Sequence, residues 1–410
     1  MKRIFLWGIV GIVMLLGCVL MGGGDTIAAS QAPDSIVIGC TVALTGRFAS
    51  NGVEVKDGYE IAVQHINQDG GIFVKEFGKK IPIKLIIYDD ESEPMKAAAR
   101  YEKMYSEDKV VAYLGAFSTV INTSLIAVAE KNKVPIVVSH FSHLEPHRQG
   151  YKYLFSPFYK SVPDYPYIID AIGDVAGKDK PKRVAIVMSR TEWPMELTRA
   201  YRDKIAKVGH YQVVVDETYP FGSKDFSMII SKAKAADAEV WLSAPTPPEG
   251  LAMIRQMKEL NYNPKFVNMT QGCSSRGWPG NEKEMGEYVS AFENWIPGLK
   301  WPGNDRLIND AKARLGGKLP WCGVGTGYID VQVLAKGIER AGTLDRKKIR
   351  DALAKTEMMT VGGPVKARPD GTMENLVYLC QWQKGIYVPV WPKKHAIADP
   401  VYPIPEWSKR

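Results

Sequence analysis

From Ser35 onward the apolar and polar positions follow two periods in turn. "SIVIGCTVALTG" is an almost unbroken apolar run ending at Thr45-Gly46, the pattern of a strand buried on both faces. A short polar loop with Phe48, Ser50 and Asn51 follows. After Gly52, Val55, Tyr59, Ala62, Val63 and Ile66 mark one helical face, and "DGG" at 69–71 stops it. "IPIKLIIYDD" predicts the next strand, and Pro94 suits the first turn of the helix after it. "VVAYLGAF", "VINTSLIAVAEK" and "VPIVVSHF" continue as strand, helix and strand.

A second cycle repeats the layout. "YPYIIDAIGDVAG" predicts a helix, "RVAIVMSR" a strand, 194–208 a helix and "YQVVVDETY" a strand. A helix over 226–236, the strand "AEVWLSA", a helix over 249–260 and the strand "PKFVNMT" complete it. Regular alternation of this kind predicts an α/β fold with parallel, doubly wound sheets, here in two similar lobes. The remaining third is more helical (305–315, 326–341 and 345–356) and ends in the hairpin-like "NLVYLCQWQKGIYVPVW".

The first thirty residues break the pattern. Lys2 and Arg3 precede "IFLWGIVGIVMLLGCVL", and small residues gather at Ala28-Ala29-Ser30. A basic start, an apolar stretch and small residues predict a signal peptide over 1–30 and an extracytoplasmic, periplasmic mature chain. "LLGC" also resembles a lipoprotein box, which would put a lipid on Cys18. The apolar stretch is marginal in length for a retained membrane span.

Composition narrows the function classes. The 410 residues are 45% hydrophobic and 24% charged with a net charge of +8; loss of the export segment leaves +7. The basic residues are scattered among acids, and the densest cluster, "DRKKIR" at 345–350, opens an amphipathic helix. No nucleic-acid partner is expected. Cys40 and Cys380 lie in apolar strand patterns where a free thiol packs as a small hydrophobe. Cys273 and Cys322 could pair in an oxidising compartment.

The chain contains no G-x-S-x-G, HExxH or Walker loop. "GVGTG" at 323–327 has the wrong spacing for a dinucleotide loop and suits a helix start. Asp89-Asp90 at a strand end suit a polar approach to a helix better than a metal. His140, His143 and His147 fall within eight residues, but Pro146 interrupts any helix that would align them for zinc. What remains is a series of strand ends bearing hydroxyls, amides and aromatics: Ser118-Thr119, His140 to Ser142, Trp193, Pro245-Thr246 and Gln271. Hydroxyls and free amides at helix N-termini suit a carboxylate, and aromatic walls supply burial. Each hydroxyl taken singly could equally be a plain N-cap.

The motifs "IVIGCTVALTG", "DGYEIAVQHINQDGGI", "IIYDDESEPMKAAARYEKM", "KVPIVVS", "GSKDFSMIISKAKAADAEVWL", "GYIDVQVLAKGIERAG" and "VGGPVKARPDG" occur in that order. Together, from Ser35 to about Trp391, they resemble the leucine/isoleucine/valine-binding family of periplasmic solute-binding proteins that serve ABC transporters. The resemblance implies a type I periplasmic binding fold, two Rossmann-like lobes joined by a three-strand hinge and closing on a ligand like a Venus flytrap. It implies lobe I over 34–157 plus 292–374 and lobe II over 158–291 plus 375–410. It places the ligand carboxylate on Ser118, Thr119 and Ser142, with a backbone carbonyl near His140. The acid that holds the amine in such proteins falls at Gln271, which is a departure. A tyrosine stacking position falls at Trp193 and the first-loop aromatic position at Asn51, with Phe48 nearby. The family's lobe I disulfide has no counterpart, since Ser92 and Phe117 or Ser118 occupy its neighbourhood.

The expected function is capture of a small carboxylate-bearing solute, an amino acid or an apolar or aromatic acid, and delivery to an ABC permease. No catalysis, cofactor or metal is expected, and a monomer is. The expected contacts are Ser118, Thr119 and Ser142 on the carboxylate, Phe48, Phe141 and Trp193 as walls, and His140, Gln271, Asn51 and Thr246 as polar neighbours. A neutral Gln271 argues against an obligatory α-amine. The rival readings are a sensor of the same fold and an extracytoplasmic hydrolase or metalloenzyme built on the histidines.

Overall fold

The computed structural model describes residues 31–274, 277–278 and 283–410. Residues 1–30, on which the expected signal peptide and Cys18 fall, lie outside the described residues. The chain opens with strand β1 (Ile36–Val42) and helix α1 (Ala49–Gln68), then a hairpin of β2 (Ile72–Val74) and β3 (Lys79–Ile81). β4 (Ile83–Asp89), α2 (Pro94–Ser106), β5 (Ala112–Leu114), α3 (Thr119–Asn132), β6 (Ile136–Val137), α4 (Glu145–Arg148) and β7 (Leu154–Phe155) follow. The main strands form a parallel sheet in the order β4-β1-β5-β6-β7, with Ile36 to Val42 in register with Ile83 to Asp89.

The second cycle builds α5 (Tyr167–Ala176), β8 (Arg183–Ser189), α6 (Glu192–Val208), β9 (Gln212–Tyr219), α7 (Ser227–Ala235), β10 (Val240–Ser243), α8 (Pro247–Glu259), β11 (Phe266–Asn268) and β12 (Ser290–Glu293). α9 (Asn304–Arg314), α10 (Cys322–Ala341) and α11 (Arg346–Leu353) precede a small antiparallel sheet of β13 (Glu357–Thr360), β14 (Gly363–Ala367) and β15 (Met373–Glu374). The hairpin β16 (Tyr378–Gln383) and β17 (Ile386–Trp391) then joins the second sheet, whose order is β17-β16-β12-β11-β10-β8-β9. Its first five strands in sequence are parallel, and the hairpin adds two antiparallel pairings, β16 with β12 and β17 with β16.

Both parallel sheets therefore share one winding, in which the second strand lies outside the first and the later strands run the other way. The order reverses between β1 and β5 in one sheet and between β8 and β10 in the other. Such switch points open a crevice beyond the strands' carboxyl ends. The core beneath is apolar: Ile36, Ile38, Ile136 and Val137 in the first sheet, and Val184, Ile186, Val240 and Leu242 in the second, are all fully enclosed.

Small residues let α10 pack closely on α1 and on Trp295. A Cβ added to Gly58 would sit 2.2 Å from the Val324 carbonyl oxygen, and one added to Gly325 would sit 1.8 Å from the Trp295 ring. The "GVGTG" run is thus a helix start, as its spacing suggests, and α10 begins one residue before it, at Cys322. α1 begins earlier than the sequence pattern indicates. It starts at Ala49, so Ser50 and Asn51 lie in its first turn instead of a loop. The reason is at Gly52, where a Cβ would fall 2.1 Å from the Ala43 carbonyl oxygen; only glycine lets the helix begin against the strand end. The β2–β3 hairpin and the β13–β15 sheet are too short to register as periodic runs. Among the described residues, no helix is long and apolar enough to cross a membrane.

Candidate functional site

The two switch points face one largely enclosed cavity of about 90 Å³, counted as space open to the centre of a water molecule. That is room for several waters or a small organic molecule. From the first sheet, Phe48, Asn51 and Glu54 reach it beyond β1, Ser118 and Thr119 beyond β5, and His140 and Ser142 beyond β6. From the second, Thr191 and Trp193 arrive beyond β8, Thr246 beyond β10, and Gln271 and Ser274 beyond β11. Phe158, Tyr159, Glu293 and Trp321 close it from the segments linking the sheets.

Local hydrogen bonds explain how each loop is held. Asn122, in the first turns of α3, is fully buried and clasps Ala116 by both its N–H and its carbonyl oxygen, at 2.8 Å each. That clasp holds Ser118, the residue before α3, at a φ of 86°, a backbone conformation rarely adopted by non-glycine residues. The adjacent loop hangs from Lys160, whose wholly buried ammonium donates to the Phe141 carbonyl oxygen and, at 2.7 Å, to Ser156 Oγ. Burial pulls the Lys160 pKa down to about 7. Ser161 adds bonds from its N–H and its hydroxyl to the Ser142 carbonyl oxygen at 2.9 and 3.0 Å. On the other side Thr246 caps α8 in a reciprocal box with Glu249.

His140 lies between the rings of Phe117 and Phe158, with centroids 4.9 and 5.1 Å away, and its Nε2 is 3.2 Å from Thr326 Oγ1. Burial lowers its pKa to about 3, so the imidazole is neutral. His140 Nδ1 and Trp193 Nε1 are enclosed and find no protein hydrogen-bond partner among the described residues. Phe48 packs on Phe117 at 5.9 Å, and the Arg47 guanidinium lies over both Phe48 and Phe221, at 5.2 and 5.3 Å, joining the two sides at the cavity rim.

Glu293, at the end of β12, is the residue that sequence reasoning missed. It is 4% exposed and lines the cavity. Its Oε1 accepts the Ser274 hydroxyl and, at 3.3 Å, the Tyr387 hydroxyl, and the Cys322 thiol bonds to the same carboxyl. Burial pushes its pKa up to about 7, against those three bonds. The signal was present: "VSAFENWI" is an apolar run with one acid in it. Glu54 and Trp321 also line the cavity unforeseen.

Every residue the sequence reading placed at the site reaches this cavity except Phe141, which does not line it. Phe141 is fully buried behind the loop, with Lys160 Nζ 4.9 Å over its ring and His147 beside it. The three histidines of the "HFSHLEPH" stretch diverge. His140 faces the cavity, His143 Nε2 is 3.9 Å from Glu196 Oε1, and His147 Nδ1 meets the Asp370 carbonyl oxygen at 3.0 Å. No cluster of three or more metal-ligating side chains exists among the described residues. Asp89 brackets its own loop, accepting from Leu44 N–H, Thr45 Oγ1 and Glu91 N–H at 2.8–2.9 Å. Cys40, Cys273, Cys322 and Cys380 are buried free thiols, so Cys273 and Cys322 are not paired.

The sequence profile of periplasmic binding proteins matches residues 35–386. The chain belongs to the periplasmic binding protein family. An amino acid binding protein of Pseudomonas aeruginosa is 26% identical over 375 residues, covering 88% of this chain and 93% of its own. A leucine binding protein from Thermotoga maritima superposes with a TM-score of 0.74 at 22% identity, over 86% of this chain and 97% of that one. A solute binding protein of an ABC transporter from R. palustris, solved with benzoate, gives 0.71 at 18% identity over 89% and 98%. The fold of the family, the type I periplasmic binding fold, is the one described above: two doubly wound α/β lobes with the cavity at their facing strand ends.

Proposed function

We propose that this protein is the extracytoplasmic solute-binding component of an ABC importer of the branched-chain amino acid type. It captures a small carboxylate-bearing ligand in the cavity and hands it unaltered to a membrane permease. The observation that carries the reading is one cavity lined from the switch points of both sheets. A ligand there touches both halves and so favours the closed arrangement over an open one. We take the lobes as 34–157 plus 292–374 and 158–291 plus 375–410.

Ser118, Thr119 and Ser142 hold the carboxylate, helped by the unbonded N–H groups of the first turn of α3. Phe48, Phe158 and Trp193 wall the apolar body, and the Trp193 indole N–H supplies one more donor. A micromolar ligand requires a net of about −8 kcal/mol, within reach of one bonded carboxylate and a buried apolar body.

Native mass spectrometry of freshly purified protein tests the capture: a retained solute released on denaturation supports it. Small-angle scattering tests closure. A radius of gyration that stays the same across a panel of amino acids and organic acids, with no retained solute, would overturn the proposal.

A further inference from the structure

A buried carboxylate is stable in a protein only when it is paired, hydrogen-bonded or protonated. Glu293 has hydrogen bonds, but every donor is neutral: the hydroxyls of Ser274 and Tyr387 and the Cys322 thiol. No lysine or arginine lines the cavity among the described residues, whereas Glu54, Glu192 and Glu293 do. The cavity thus offers hydroxyl and N–H donors at one set of loops and a desolvated acid at the end of β12, with no cation of its own to satisfy it. Gln271 cannot supply that acid, but it lies just beyond β11, which pairs with β12, and Ser274 from the same loop bonds Glu293.

We propose that Glu293 is the specificity-determining carboxylate of this site and takes a protonated amine of the captured solute. The ligand class is then a small zwitterion with an apolar body, and Gln271 is a neutral neighbour of its ammonium group. This rests on the solute-capture reading and narrows it.

The proton balance follows from the geometry. Around Glu293 stand Cys273, Cys322 and Cys380, from the loop after β11, from α10 and from β16, with Tyr159 and Tyr165 after β7 and Tyr387 on β17. Burial raises the pKa of each of these thiols and phenols, so none ionises near neutrality. Glu54 on α1 faces Cys322. Below about pH 7 the Glu293 carboxyl carries a proton, and an arriving ammonium displaces that proton to solvent.

Isothermal titration calorimetry with matched pairs tests the proposal: L-leucine against 4-methylpentanoate, and L-phenylalanine against 3-phenylpropanoate. In the wild type the amine-bearing member binds at least about 30-fold more tightly, and Glu293→Gln removes most of that margin while leaving the deaminated acid within about threefold. Titration of the wild type near pH 6 in two buffers of different ionisation enthalpy gives a second reading, which requires no variant. It shows close to one proton released per amine bound and none for the acid. Equal or tighter binding of the deaminated acids overturns the inference and leaves solute capture standing, as does an unchanged margin in Glu293→Gln or an absence of proton release. Silence across all four compounds also overturns it, and the capture reading then stands or falls on the retained solute.

Discussion

The protonation of Glu293 can be read from stability as well as from binding. A carboxyl whose folded pKa lies above its unfolded value contributes stability that is complete below the unfolded pKa and is lost as pH rises through the folded one. For Glu293 that window runs from the ordinary 4.5 to about 7. Glu293→Gln keeps the side chain's shape, replaces the carboxyl by a permanently neutral group and removes this slope. At about 1.4 kcal/mol per pKa unit, the wild type loses about 2.5 kcal/mol through Glu293 between about pH 5 and pH 8. The ligand-free variant should therefore gain that amount relative to wild type over the same interval, whatever its offset at the acidic end. For a domain of this size the gain is a relative Tm rise of about 3 °C. Calorimetric or circular-dichroism melts of both proteins at matched pH values provide the test. Other titrating groups, such as Asp330 and His140, are common to both proteins and cancel in the difference. Parallel Tm-versus-pH curves would show that Glu293 is ionised in the free cavity and would refute the argument.

Four further outcomes follow from the geometry. Asn122→Ala leaves the Ala116 N–H and carbonyl oxygen without their partner in a buried loop; it should cost about 2–4 kcal/mol in denaturant unfolding and weaken ligand binding more than tenfold. Gly325→Ala drives a methyl into the Trp295 ring, and a Tm drop equivalent to about 3 kcal/mol is expected; an unchanged Tm would mean that α10 is not seated on Trp295. Arg47→Ala removes the guanidinium shared by Phe48 and Phe221; stopped-flow fluorescence should show ligand leaving about threefold faster at an unaltered Tm, consistent with about 0.5–1 kcal/mol for such a contact. Ellman's reagent should find the four described cysteines silent in the native protein and reactive in guanidinium, since all four are buried free thiols.

The fold was legible in the sequence because the inner parallel strands, such as β1, β8 and β10, are enclosed on both faces, and helices such as α2 and α6 bury one face. Period and chain direction then specify the winding almost without tertiary information. The "DRKKIR" cluster illustrates the same legibility in a cap, since Asp345 accepts the Lys348 N–H at 2.8 Å and starts α11. Where the reading slipped, a close approach had displaced the local signal. Gly52 looks like punctuation before a helix, yet it lies inside one because the turn rests on the Ala43 carbonyl. The residues of β2, β3 and β13 to β15 form runs of two to five, too short for either period to show.

The site was legible only as far as it follows strand ends. Hydroxyls and aromatics after β1, β5, β6, β8, β10 and β11 could be placed at a crevice by topology alone, whereas Phe158, Tyr159, Phe221 and Trp321 reach the cavity from other segments. Phe141 illustrates the limit. It is adjacent in sequence to His140 and Ser142, but its ring turns inward because its carbonyl oxygen is the one that Lys160 holds. Glu293 illustrates the opposite limit. The resemblance puts Gln271 at the position of the family's acid, and a neutral side chain there argues against an obligatory α-amine. Electrostatics asks a different question: where in the cavity a desolvated charge exists, and what could neutralise it. An acid isolated in "SAFENW" carries the first half of that answer in the sequence. The second half required Ser274, Cys322 and Tyr387 to converge from three separate segments, a convergence that no single window of the chain contains. With Glu293 taking the amine as proposed, ligand selectivity is set by where the strands bring charge together and not by a motif position alone.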